Sequence, residues 1–347
     1  MWNPKKKSEA LAKFKSFPYP KPGTSNVLDS KEGDTRRKYF TKTHLHRLFV
    51  FVVLLLCSGY FLKHTLLTRP KESNVVMIFV NNIGGGVLDV KSPRQWELEK
   101  ISTENKKKYA ERHGYHFFVK STGLKRRYAH EWRESWEKAD YIMEAMKKYP
   151  HAEWFWWVDL TTFIMEPQYS LEKLIINRLD HIATRNITDS MEFNPKNFHE
   201  IPFVDYSEDI NFILGQDCNG FSLGSFLVRR SDWTSRLMDF LWDPVVYGQK
   251  HMDWPHDEQN AIEYFYENNA WLRSGMGFVP LRLFNSYPPG ACAGEGENPR
   301  FFYNQKEGDF LVNLAGCNYG RDCLDEINHY KGLAQRKRGW RKLVPFL

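Results

Sequence analysis

Residues Trp154 to Pro167 read WFWWVDLTTFIMEP, and the first five of them constrain the fold more than any other stretch of this chain. Four aromatics followed by Val158 are too apolar for a surface segment, so they predict a strand buried on both faces, as in a parallel sheet. The run ends at Asp159, a carboxylate with no basic neighbour in sequence. Open α/β sheets bind ligands beyond the carboxyl ends of their strands. An Asp emerging there can hold a divalent cation and, through it, phosphates. The plainer role for such an Asp is to cap a turn or helix, and the rest of the chain weighs against it.

The flanking segments supply the other parts of an α/β fold. Asn74 to Val80 (NVVMIFV) predicts a first strand, followed by the turn Asn81-Asn82-Ile83-Gly84-Gly85-Gly86, whose glycines let backbone approach a ligand. Ser92-Pro93-Arg94-Gln95 opens a helix with an N-cap, a proline at the first position and a Gln three residues on. That helix runs to about His113, with Gly114 as its stop, and Tyr115 to Lys120 returns as a strand. Strand, helix and strand in that order make a βαβ unit with parallel neighbours. Glu131 to Lys148 predicts an amphipathic helix with Trp136, Ala139, Met143 and Met146 on its core face. Later, Ser231 caps a helix that Pro244 stops, and Glu258 to Glu267 forms another.

The charge is confined to one end. Of 49 Lys/Arg and 42 Asp/Glu, residues 1–47 hold 12 basic and 4 acidic, leaving 37 against 38 for the rest. The net +7 thus belongs to the N-terminal tail, and a nucleic-acid-binding reading of the body loses its main support. Leu48 to Leu62 carries no charge and spans about 22 Å as a helix; extended to Leu67, with Lys63 and His64 snorkelling, it reaches about 30 Å. Basic residues on its N-terminal side predict a single-pass type II anchor. The expected organisation is a cytosolic tail at 1–47, a membrane helix at 48–67, a stem at 68–73 and a luminal domain at 74–347. The short span suits an early secretory membrane. With Cys57 in the anchor, Cys218, Cys292, Cys317 and Cys323 remain for an oxidising lumen. Cys317 and Cys323 could close a short loop, but four cysteines allow three pairings. Asn186-Ile187-Thr188 is a glycosylation sequon.

The ordered series NNIGGGV, ENKKKYAERHGY, YAHEWRESWEKAD, WFWWVDLTTFIMEP, QDCNGFSLGSFLVRRSDW, WPHDEQNAIEY, YPPGAC and FLVNLAGCNYGRDC resembles glycosyltransferase family 34 over roughly Asn74 to Cys323. The likeness is to its mannan polymerase type more than to its galactosyltransferases. It implies a GT-A type fold, with a Rossmann-like nucleotide-binding half and a mixed sheet. It also implies retaining α-1,6-mannosyl transfer from GDP-mannose to mannan chains of N-glycans, in the Golgi, with Mn²⁺ and other mannosyltransferase subunits as partners. Asp159 matches the first residue of the family's Asp-x-Asp motif, and Thr161 stands where the second Asp is expected. Asn313 takes the place of a metal-binding His, and Asn318 that of a diphosphate-binding Lys, with Arg321 near enough to substitute; loop hydrogen bonding is the other role open to both asparagines. Asp257, Glu258 and Gln259 match the acidic pair and Gln that face donor sugar and acceptor. Glu258 is the implied catalytic carboxylate, although acidic residues also favour a helix start. Ser222 and Gly224 match an acceptor-side segment, while Asn81, Gly84, Gly85, Trp136 and Lys138 border the donor, Trp136 being equally suited to a core. A subunit that keeps the fold as a scaffold or acceptor-binding partner, and an α-galactosyltransferase using UDP-galactose, are the alternatives.

Overall fold

The computed structural model describes residues 44, 46–59, 73–81, 91–120, 136–187, 201–250, 257–292, 294 and 298–343. The chain divides into Met1–Lys71 and Glu72–Leu347. In the first unit, residues 46–59 form a helix, α1, with exposed side chains. At 1.5 Å per residue it is about 21 Å long. Among the described residues, no helix is long and apolar enough to cross a membrane. The expected span at 48–67 therefore has only its first 12 residues in the described helix, and 60–67 lie outside the described residues.

The second unit is built on a six-stranded mixed sheet in the order β2-β1-β3-β6-β5-β7. Its strands are β1 (Val75–Val80), β2 (His116–Lys120), β3 (Trp154–Val158), β5 (Phe212–Asp217), β6 (Gly220–Arg229) and β7 (Met276–Phe278). β1 pairs in parallel with both β2 and β3, as the βαβ pattern predicts. β6 runs antiparallel between β3 and β5, and β5 pairs in parallel with β7. Every side chain of β1 and β3 is buried, so both faces of the sheet are covered, which explains why these strands read as unbroken apolar runs. Phe155 and Trp157 join one core cluster, while Trp154, Trp156 and Val158 join the other.

Helix α2 (Pro93–His113) has the expected capping box at Ser92 and Gln95, and ends at Gly114 with φ of 69°. Helix α3 is described from Glu137 to Lys148, and the segment expected to begin it at 131–135 lies outside the described residues. After β3 come β4 (Thr162–Ile164), then the short helices α4 (Leu171–Leu174) and α5 (Leu179–Ile182). Ser231 caps α6 (Asp232–Leu241) by accepting from Thr234 N, but Pro244 does more than stop it. Proline tolerates the first turn of a helix, and Pro244 opens α7 (Pro244–Lys250). Helices α8 (Asp257–Asn268) and α9 (Ala270–Ser274) lead into β7. β8 (Leu311–Asn313) pairs antiparallel with β4, and α10 (Cys323–Leu343) completes the described chain.

Candidate active site

The β3 tip is held open by its neighbours. Asp159 N–H donates to the Gly224 carbonyl of β6 at 2.8 Å, while its own carbonyl accepts from Thr162 Oγ1 at 2.7 Å. One face of α2 then satisfies the turn: Ser102 Oγ donates to the Leu160 carbonyl (2.6 Å), Lys106 Nζ to that of Thr162 (2.7 Å), and the Asn105 amide pairs with both N–H and C=O of Ile164. Residues three and four apart on a helix lie side by side, so this spacing lets α2 grip three residues of the turn.

Lys138, at the start of α3, places its ammonium 2.7 Å from Glu258 Oε1 and 3.7 Å from Asp159 Oδ1. It also donates to the Leu223 carbonyl at 3.1 Å. Burial alone would lower this lysine, but Asp159 and Glu258 outweigh it and hold the group charged. Asp159 Oδ1 also accepts from Trp157 Nε1 at 2.6 Å. Burial raises the Asp159 carboxyl against the pull of Lys138 and Trp157, even though its side chain keeps 34% exposure. Lys106, wholly buried, is pushed down to about 7 by burial, with Asp159 opposing. Two lysines and two acids are thus gathered at one sheet tip from α2, α3, β3 and α8.

A polar chain invisible in the sequence lies beside them. Asn285 Nδ2 donates to Ser222 Oγ (2.7 Å), Ser222 Oγ lies 2.9 Å from Tyr287 Oη, and Tyr287 Oη donates to Asp217 Oδ2. Burial raises both the Asp217 carboxyl and the Tyr287 hydroxyl. Asp217 ends β5 as Asp159 ends β3, and that shared position was the available signal for it.

The other expected residues are distributed as follows. Asn313 is buried opposite Thr162, with Oδ1 unpartnered and Nδ2 2.1 Å from where a Cβ on Gly224 would stand. Gln259 Nε2 is 3.1 Å from Glu263 Oε1 and 3.4 Å from the Asn219 carbonyl, so it braces the β5–β6 turn. Trp136 is 2% exposed in the core and packs near Trp242, which assigns it to packing. Arg321 binds the Leu314 and Ala315 carbonyls and Glu326, with Nη1 unpartnered, while Asn318 is exposed with Oδ1 2.9 Å from Cys323 Sγ. Asn81 continues the ladder past β1 by donating to the Lys120 carbonyl, and its Oδ1 is buried without a partner. Asn186 is half-buried, and Thr188 of its sequon lies outside the described residues, as do Gly84 and Gly85. Asp257 begins α8; its side chain is outside the description. Cys218 is bonded to Cys292, and Cys317 to Cys323.

The donor set does not fit a protein-held Mn²⁺ at Asp159, Thr161 and Asn313. A hard dication is held by several anionic or carbonyl oxygens. Here there is one carboxylate, already facing an ammonium at 3.7 Å, with a neutral hydroxyl and a neutral amide as the remaining expected ligands. Among the described residues, no group of three or more His, Cys, Asp or Glu side chains could hold a metal ion.

Residues 71–324 match the model of the galactosyl transferase GMA12/MNN10 family. The chain belongs to this family. Over 272 residues it is 49% identical to "Probable alpha-1,6-mannosyltransferase MNN10" of Saccharomyces cerevisiae, a match covering 78% of this chain and 68% of the relative. It is 28% identical to an "Alpha-1,2-galactosyltransferase" of Schizosaccharomyces pombe, over 78% of this chain and 69% of that one. A second Saccharomyces cerevisiae relative, "Probable alpha-1,6-mannosyltransferase MNN11", is 23% identical over 80% of this chain and 66% of its own. Family membership makes the chain a glycosyltransferase and places the matched segment around every element of the site just described.

Proposed function

We propose that this family member transfers mannose from GDP-mannose to α-1,6-linked mannan chains of N-glycans, with retention, on a GT-A type fold. The choice of mannose and linkage rests on the 49% identity to the relative named as a probable α-1,6-mannosyltransferase. The observation that carries the chemistry is the Lys138 ammonium set between Asp159 and Glu258 at the β3 tip. When the sugar–phosphate bond breaks, charge develops on the departing diphosphate and on the sugar. Lys138, and Lys106 while protonated, supply the positive field for the phosphate, and the Glu258 carboxylate stabilises an oxocarbenium-like sugar. Asp159 holds Lys138 in place. Ser222, buried and bonded to Tyr287 and Asn285, supports the acceptor side from behind. No step here passes through a metal.

Residues 48–67 serve in this reading as a Golgi signal anchor of type II topology with 74–347 luminal. The basic tail and two disulfides support it, since disulfides persist in oxidising compartments. Other mannosyltransferase subunits are the partners. Thr161 in place of a second carboxylate after Asp159, and the engagement of Gln259 with Glu263, favour a second reading, a subunit that keeps the fold and acts as a scaffold.

The test uses the full chain, GDP-mannose and α-1,6-mannobiose, with product read by mass and by linkage analysis. Trimannoside should form and should persist in EDTA. Glu258→Gln should reduce kcat by about 10²–10³-fold, the size expected for losing a charge-stabilising group. A parent inert with and without Mn²⁺, but activated by Thr161→Asp together with Mn²⁺, would establish the scaffold reading instead.

A further inference from the structure

A cavity of about 960 Å³ lies outside the site just described, between the α4–α5 segment, the end of β5 and the segment that joins β7 to β8. It is at the upper end of the range for ligand pockets. Gln216 lines it, and this side chain is 8% exposed with Oε1 buried and without a hydrogen-bond partner. A buried amide oxygen left unpaired costs free energy unless something donates to it. Tyr169 stands at the cavity with 43% of its surface exposed, and Phe310 lies within.

The charged wall selects among ligands. Arg282 binds Asp309 through two nitrogens at 2.8 and 3.0 Å, Glu307 at 2.6 Å and the Pro299 carbonyl at 3.0 Å. Its guanidinium is thus committed to the two carboxylates, while Arg178 and Arg300 also line the cavity. Donors and acceptors alternate along this wall. That arrangement, with aromatic faces nearby, suits a polyhydroxy ligand.

The cavity backs onto the catalytic side. Leu281 and Phe301 line it and also pack with Tyr287 and Cys292, so one layer of side chains separates it from the Ser222–Tyr287–Asp217 chain. Gln216 directly precedes Asp217 in β5.

We propose that this cavity is a second carbohydrate site, which holds a stretch of the neutral hexose chain away from its reacting end. The inference rests on the acceptor class given above. Its consequence is that long acceptors bind better than short ones, with the difference residing in the cavity and not at the β3 tip.

The experiment measures equilibrium binding of α-1,6-mannohexaose and mannobiose to the full chain, without donor, in a detergent lacking a sugar headgroup. Tyr169→Ala and Arg178→Ala are both at the solvent-exposed rim, so neither removes core packing, and near-UV circular dichroism checks the fold. The parent should bind hexaose more tightly than biose, and each variant should weaken hexaose binding by about tenfold, the loss of one stacking or hydrogen-bonding contact. In transfer assays the ratio of KM for biose to KM for hexaose should fall by the same factor. Hexaose binding that is absent in the parent, or equally tight in both variants, overturns the site. A parent that binds hexaose through Tyr169 yet transfers no mannose keeps the site and removes the mannosyltransferase reading, so the two failures are separable.

Discussion

At the scale of single residues, the tip of β3 works by close approach. Gly224 must be a glycine: a Cβ there would lie 2.1 Å from Asn313 Nδ2 and 3.1 Å from its Cγ, and Asn313 is itself buried at the end of β8, paired with Thr162 of β4. Gly224→Ala is therefore expected to push Asn313 or the β6 backbone away from Asp159. Overpacking of this kind typically costs about 1–3 kcal/mol. A denaturant midpoint unchanged from the parent would show that the strands yield without cost. The Asp159 position was legible from the sequence because an apolar run must end somewhere and its end is where ligands bind. Lys138 as the partner of both acids was not, since residues 138, 159 and 258 meet only once α3, β3 and α8 are packed. Trp136 illustrates the converse: its place in a helical apolar stripe was a sound indicator of core, and the structure puts it there.

At the scale of elements, α2 is the clamp on the catalytic turn. Lys106 is wholly buried because its ammonium satisfies Ser102 Oγ and the Thr162 carbonyl, and the cost is a folded-state pKa of about 7 against 10.5 for the free group. Between these values the unfolded chain holds a proton that the folded chain has lost, so stability must rise with pH across that window. The penalty of burying the charged form is fully present below about pH 7. Lys106→Met should flatten the rise: the parent's Tm is expected to climb from pH 7 to pH 9 by a few degrees more than the variant's, roughly the scale on which about 1 kcal/mol moves a domain of this size. Equal slopes for the two proteins would mean the ammonium stays charged through the window. The helix itself was legible to the residue, from the capping box at Ser92 to the left-handed Gly114. Its grip on 160–164 was not, because a polar stripe of Ser, Asn and Lys reads as a solvated face until a turn is laid across it.

At the scale of the whole molecule, two covalent closures frame the site. Cys218–Cys292 ties the β5–β6 turn to the loop after Tyr287, across 74 residues of chain. Cys317–Cys323 closes the loop between β8 and α10. Cys292→Ser should lower stability by about 2–5 kcal/mol, more than loss of the six-residue closure, because the longer loop gains more freedom in the unfolded chain. Comparing urea midpoints of the two single-closure variants checks the order. The sequence by itself determined the parallel β1–β2–β3 core, its helices and the carboxylate at its edge. Those features follow from hydrophobic period, capping residues and turn chemistry, all written within short stretches of chain. Only the tertiary structure decided that β6 enters antiparallel beside β3, that Asn285, Ser222, Tyr287 and Asp217 form one polar chain, and that Lys138 faces both Asp159 and Glu258. Those depend on pairings between residues tens to more than a hundred positions apart, which no local pattern encodes and which only the shared burial of the sheet's two faces brings together.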